Sequence, residues 1–63
     1  MKKKILILAG GYSKERDISL ITAKAVYNQI KNKYICKILD PKNGFIQQIR
    51  KFKPNVIFNA LHG

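Results

Sequence analysis

The sequence predicts an α/β fold, a Rossmann-like β-α-β-α-β unit built on a parallel sheet. Three observations lead there. Short apolar runs alternate with segments in which apolar residues recur at helical spacing. The first run, Ile5-Leu6-Ile7-Leu8-Ala9, is continuous and rich in Ile, as in a strand covered on both faces. Turn residues close each segment, most densely at Asp40-Pro41-Lys42-Asn43-Gly44.

Ile5 to Ala9 forms the first predicted strand. Ser13 or Asp17 can cap the helix that follows. Ile18, Ile21, Ala25, Val26 and Ile30 recur at helical spacing and predict an amphipathic helix running to about Asn32, a plausible stop. Tyr34 to Leu39 predicts the second strand. Beyond the turn, Phe45, Ile46, Ile49 and Phe52 predict a short second helix. Pro54 restarts the chain, and Val56 to Ala60 predicts the third strand. Strands alternating with helices imply right-handed crossovers in a parallel sheet, and 2-1-3, with the first strand central, is the expected order. A three-stranded sheet of this kind leaves much apolar surface uncovered, so the expectation is the front piece of a larger unit.

At 63 residues the chain holds at most one domain and, alone, is marginal. Its 46% hydrophobic content argues against disorder. The net charge of +10 raises a nucleic-acid or acidic-membrane partner. Against that, nearly all the positive charge is Lys rather than the Arg favoured for bidentate phosphate recognition. The lysines are also scattered rather than gathered on one helical stripe. Tyr27, Tyr34, Phe45, Phe52 and Phe58 mostly occupy positions where the core pattern wants apolar residues, not a stacking surface. The expectation is no nucleic-acid and no membrane partner. A small basic nucleic-acid-binding module stands as the alternative.

Cys36 lies alone in an apolar run and reads as a small core residue in a reducing compartment. Met1-Lys2-Lys3-Lys4 before an apolar run imitates a secretory leader, but the run ends at Gly10, and no stretch approaches the roughly 18 apolar residues of a membrane span. A cytoplasmic protein is expected.

Chemistry concentrates at Gly10-Gly11-Tyr12-Ser13-Lys14-Glu15-Arg16. A strand that stops at paired glycines and restarts as a helix exposes backbone N–H groups suited to an anionic group. The same turn carries Glu15, one of only three acids in the chain, which could read a substrate's ammonium. An acid at a helix start is also stabilised by the helix dipole, so a structural Glu15 is credible. Ligands of open parallel sheets bind beyond the carboxyl ends of the strands, where strand order reverses. With order 2-1-3, Glu15 after the first strand and His62 after the third line one crevice. With order 3-2-1 they lie far apart. Ser13 and Ser19 read as capping or solvating the helix start, and Asp40 before Pro41 reads as a turn residue. Neither Gly-x-Gly-x-x-Gly nor Gly-x-x-x-x-Gly-Lys-Ser/Thr is present, and no metal-ligand cluster is spaced along the chain. A flavodoxin-like or response-regulator-like unit would need paired acids after the first strand, and none stand there.

Leu8-Ala9-Gly10-Gly11-Tyr12-Ser13-Lys14-Glu15-Arg16-Asp17-Ile18-Ser19-Leu20 resembles the opening signature of D-alanine–D-alanine ligases. That signature reads strand, Gly-Gly, any residue, Ser, any residue, Glu-Arg-Glu, an aliphatic residue, Ser-Leu. Asn59-Ala60-Leu61-His62-Gly63 resembles the second signature, which ends Ala-Leu-His-Gly. Asp17 replaces the usual second glutamate, and Thr22-Ala23 stands where Ser-Gly is common. The resemblance implies the substrate-side, N-terminal part of an ATP-grasp enzyme that joins two D-alanines through an acyl phosphate for peptidoglycan synthesis. By resemblance, Glu15 holds the ammonium of the first D-alanine and His62 stands close to that substrate. Gly10, Gly11 and Ser13 shape the turn. ATP and magnesium (or manganese) are implied for the intact enzyme, a homodimer, and are held by later domains. The 63 residues alone are expected to be inactive.

Overall fold

The computed structural model describes residues 2–12, 14–43 and 46–61. The elements run β1 (Lys4–Leu8), α1 (Arg16–Ile30), β2 (Ile35–Leu39), a 3₁₀ turn (Pro41–Asn43), α2 (Ile46–Phe52) and β3 (Val56–Asn59). Each predicted element is present, with ends shifted by a few residues. Phe45, expected in the second helix, lies outside the described residues.

The sheet is parallel, with β1 at its centre in the order β2-β1-β3. The expected 2-1-3 arrangement is thus the observed one. Ile5 pairs with Cys36 on one side and Val56 on the other, and Leu8 pairs with Leu39 and Asn59. Each ladder continues one step past the strands: Ala9 N–H donates to Leu39 C=O at 3.0 Å, and Ala60 N–H donates to Leu8 C=O at 2.8 Å. At the opposite end, Lys4 N–H donates to Asn55 Oδ1 and Asn55 N–H donates to Lys4 C=O, both at 2.8 Å. These reciprocal bonds fix where β3 starts against β1.

Leu6 and Ile7 are both completely buried, as a central strand covered on two faces requires. Ile7 and Ala9 pack with Ala23 of α1 and Ala60, and Ile5, Leu20, Val26, Tyr27 and Ile38 close around them. Phe52 of α2 lies by the other face of β1, its ring centre 5.8 Å from the Lys4 ammonium.

The packed face of α1 differs from the one expected. Ile18 and Ile21 are 55% and 68% exposed, and Ala25 is exposed as well. The helix meets the sheet through Ser19, Leu20, Ala23, Val26 and Tyr27. Both stripes have helical spacing, so periodicity alone could not choose between them. The small side chains at Ser19 and Ala23 let the helix approach the strands closely, which bulky Ile18 and Ile21 would prevent. The cap differs too. Glu15 occupies the N-cap position, with Arg16 the first helical residue, so Asp17 sits inside the first turn rather than capping it.

β3 is exposed along its whole length, Val56, Ile57 and Phe58 remaining 42–49% accessible. This edge strand receives less cover than β1. Cys36 is half-buried, and burial pushes its thiol pKa up, away from the thiolate that a nucleophile needs.

Gly10 and Gly11 both adopt positive φ, +93° and +80°. A Cβ at Gly10 would sit 2.6 Å from both Arg16 Nη1 and Asp40 Oδ2, whereas one at Gly11 would meet only Leu61 Cδ2 at 3.4 Å. Gly11→Ala should therefore cost on the order of 1 kcal/mol, from backbone strain alone. Gly10→Ala should cost clearly more, about 2–4 kcal/mol, because it adds displacement of a charged pair to that strain. Equilibrium denaturation of the two variants checks the ranking, and equal losses would contradict it.

Candidate functional site

The carboxyl ends of all three strands meet at the Gly10-Gly11 turn, through two side chains that each bridge separate elements. The first is Ser19, from the opening turn of α1 and fully buried. Its Oγ accepts the Gly10 N–H at 2.9 Å and donates to the Ala60 carbonyl at 2.6 Å. Its backbone N–H donates to the Glu15 carbonyl at 2.9 Å, the helical bond that opens α1. A hydroxyl buried among Ile7, Ala9, Ala23 and Ala60 is tolerable only because both its acceptor and its donor capacities are used. Ser19 thus neither caps nor solvates the helix start, as the sequence suggested, but joins β1 to β3.

The second bridge is Asp40, immediately after β2. Asp40 Oδ1 accepts the Gly11 N–H at 3.0 Å and the Lys42 N–H at 2.9 Å, and Oδ2 pairs with the Arg16 guanidinium. The Lys42 bond is the local turn that Asp40-Pro41 predicts. The bonds to Gly11 and Arg16 go further and tie the glycine turn to the end of β2. The Arg16 hydrogen bond, then the backbone N–H groups of Lys42 and Gly11, hold the Asp40 carboxyl at about 2, below its ordinary 3.8.

These bonds revise the reading of the turn as an anion cradle. The N–H groups of Gly10 and Gly11 are donated to Ser19 and Asp40, so neither is left for a ligand anion. The glycines contribute shape: they let the chain reverse close to Arg16, Asp40 and Leu61. Asp40 is likewise engaged internally, by Arg16, Gly11 and Lys42.

Glu15 lies at the entry to α1 with its side chain exposed at the same end of the sheet. Across the β1–β3 boundary, Leu61 Cδ2 lies against the Gly11 position. Leu61 N–H donates to Asn59 Oδ1 at 2.9 Å, a short turn that directs the chain leaving β3. The strand order therefore brings together the two segments that carry the sequence signatures. Ser13 and His62 themselves lie outside the described residues. Arg16, Ser19 and Asp40 were missed as site-building residues. Only the resemblance, which places Arg and Ser inside its first signature, carried a signal for two of them.

Asp40 is engaged internally, and no group of three or more His, Cys, Asp and Glu that could hold a metal occurs among the described residues. Among the described residues, no helix is long and apolar enough to cross a membrane. At the far, amino end of the sheet, Lys2, Lys3, Lys4, Lys53 and Asn55 line a shallow depression of about 400 Å³. The three acids all belong to the carboxyl end, at Glu15, Asp17 and Asp40.

The fold and site thus define a parallel α/β unit whose glycine turn lies at the β1–β3 reversal of strand order. Relatives give that class a closer affiliation. The chain is 58% identical, over all of its length, to a D-alanine–D-alanine ligase of Pelagibacter ubique, and matches 21% of that protein. It is 40% identical to the D-alanine–D-alanine ligases of Zymomonas mobilis and Parvibaculum lavamentivorans, over 98% and 97% of its length and 20% of theirs. No family model matches the chain. The chain spans about a fifth of the length of the curated relatives it matches. The resemblance to D-alanine–D-alanine ligases, carried in the sequence by two short signatures, therefore extends over the whole chain.

The lowered Asp40 pKa sets an expected pH dependence. A carboxyl whose folded pKa lies below its unfolded value stabilises the fold above the unfolded pKa, and that contribution is lost as pH falls through the folded one. The window runs from about pH 4 down to about pH 2, following the Asp40 shift. Denaturation midpoints should drop through this range, and Asp40→Asn should flatten that drop while lowering stability at pH 6. A variant with an unchanged acid slope would show that Asp40 is not its source.

Proposed function

We propose that this chain forms the first-substrate side of a D-alanine–D-alanine ligase, where Glu15 holds the ammonium group of one D-alanine and His62 stands beside the same molecule. The observation that carries the reading is the β2-β1-β3 order, which sets the Glu15 turn and the end of β3 side by side, bonded through Ser19. An exposed carboxylate at a fixed backbone position is the group an ammonium requires, and a fixed placement lets charge pairing orient as well as bind. Ser13 and the two glycines shape the turn around it. The intact enzyme would join this D-alanine to a second one, in the cytoplasm and as a homodimer, with ATP and magnesium held outside these residues. The 63 residues alone would then be inactive.

The same reading accounts for the charge without a nucleic-acid partner. Eleven of the thirteen basic residues are lysines, and Phe58 is the only residue of the edge strand with an aromatic ring to offer.

A chimera provides the test: the Pelagibacter ubique ligase with its matched segment replaced by this chain. It should form the D-alanine dipeptide in an ATP-dependent manner. Glu15→Gln in the chimera removes a charge-assisted contact of about 1.5–3 kcal/mol and should raise the D-alanine KM about 10- to 100-fold, with the ATP KM nearly unchanged. His62→Gln should act on the same KM. D-alanine kinetics unmoved by Glu15→Gln would sink the role assigned to that residue.

A further inference from the structure

We propose that Ser19 is a positioning residue of the substrate-holding turn, its hydroxyl setting where Glu15 stands relative to the end of β3. The proposal rests on the ligase reading above and adds a residue to it. Ser19 touches both halves of the site through three hydrogen bonds. Its N–H holds the Glu15 carbonyl, its Oγ lone pair takes the Gly10 N–H, and its hydroxyl proton goes to the Ala60 carbonyl. Glu15 and Gly10 bound one side of the crevice, and Ala60 and Leu61 lead into the other.

The position calls for a hydroxyl. The surrounding buried positions are Ile7, Ala9, Ala23 and Ala60, all apolar, and alanine would satisfy packing there as well. Alanine would leave the Gly10 N–H and the Ala60 carbonyl facing each other, both buried and without their partner. The turn would then have to move until those groups found water or another partner. Glu15 follows the turn, so its carboxylate would move with it. Asp40 and Arg16 hold the turn on the β2 side only. On the β3 side the bridging bonds are those of Ser19, with Leu61 in van der Waals reach of Gly11.

A structural role alone predicts a different result from a positioning role. Lost stability lowers the active fraction, and with it the apparent kcat, while both KM values stay put. Displaced binding geometry raises the KM of the substrate held by the turn and spares that of ATP.

The experiment uses the same chimera with Ser19→Ala, Ser19→Thr and Ser19→Cys, each assayed for D-alanine and ATP kinetics and for melting temperature. Ser19→Ala should raise the D-alanine KM about tenfold or more, leaving the ATP KM within about twofold. Ser19→Thr keeps the hydroxyl and adds a methyl group at a site with no free surface. It should melt lower yet retain a near-normal D-alanine KM. Ser19→Cys keeps a small side chain, but its weak thiol donor cannot make both bonds, so it should behave as Ala does and stands in for it if Ser19→Ala does not fold. A folded Ala or Cys variant with an unaltered D-alanine KM overturns the proposal while leaving the ligase reading intact. An unsubstituted chimera that forms no dipeptide overturns the ligase reading itself.

Discussion

The Ser19 hydroxyl is the point at which the helix, the central strand and the edge strand hold one another. It accepts a hydrogen bond from the Gly10 N–H and donates one to the Ala60 carbonyl, in an otherwise apolar pocket. Because water does not reach it, each bond is stronger than at the surface, and the loss of either partner is correspondingly costly. The constraint propagates outward. A helix bonded this closely to the strands needs small residues at its contact face, hence Ala23 one turn on. The chain between β1 and α1 must reverse in little space, hence two glycines at positive φ.

Asp40 and Arg16 complete the clamp from the other side with charge rather than packing. Arg16 is half-exposed while Asp40 is largely covered, so the pair sits where solvent screens it only partly. Gly10 leaves the space in which the two side chains meet. The glycine turn is thus held twice: by a neutral hydroxyl toward β3 and by a carboxylate toward β2. The backbone N–H groups of Gly10 and Gly11 are consumed in holding it. The Glu15 side chain is exposed beside it, and the role proposed for that residue is to hold a cation.

Much of this was readable beforehand. Continuous apolar runs between helical segments specify parallel strands, but both 2-1-3 and 3-2-1 can be built with right-handed crossovers, so the pattern gave the sheet and not its order. The two short signatures located the turn and the end of β3. The helix face did not follow, because Ile18-Ile21-Ala25 and Ser19-Ala23-Val26 satisfy the same period. Hydrophobicity favours the first stripe, and close approach to the sheet selects the second. Asp40 was legible as a turn residue from Pro41, but its bonds to Gly11 and Arg16 link positions 29 and 24 apart. No local pattern encodes such distances. Ser19 was obscured for a related reason: a serine near a helix start is ordinarily a cap, and only the partners it meets in space show otherwise.

The place of β3 bears on the order in which the unit assembles. Of the three strands, the third in sequence pairs with the first, and Lys4 meets Asn55 across 51 positions. Chains fold as they emerge from their N-terminus, and non-local pairings come late. β1, α1 and β2 can join while the rest is still being synthesised, with Asp40 arriving in time to fasten the turn. Through that interval Ser19 holds Gly10 but has no carbonyl to accept its hydrogen bond, and one edge of β1 is bare. Among these three strands, the β1–β3 junction is therefore the later of the two pairings to form. It is also the first to open when the exposed edge strand frays, so native-state hydrogen exchange at Ala60 reports directly on the integrity of the site.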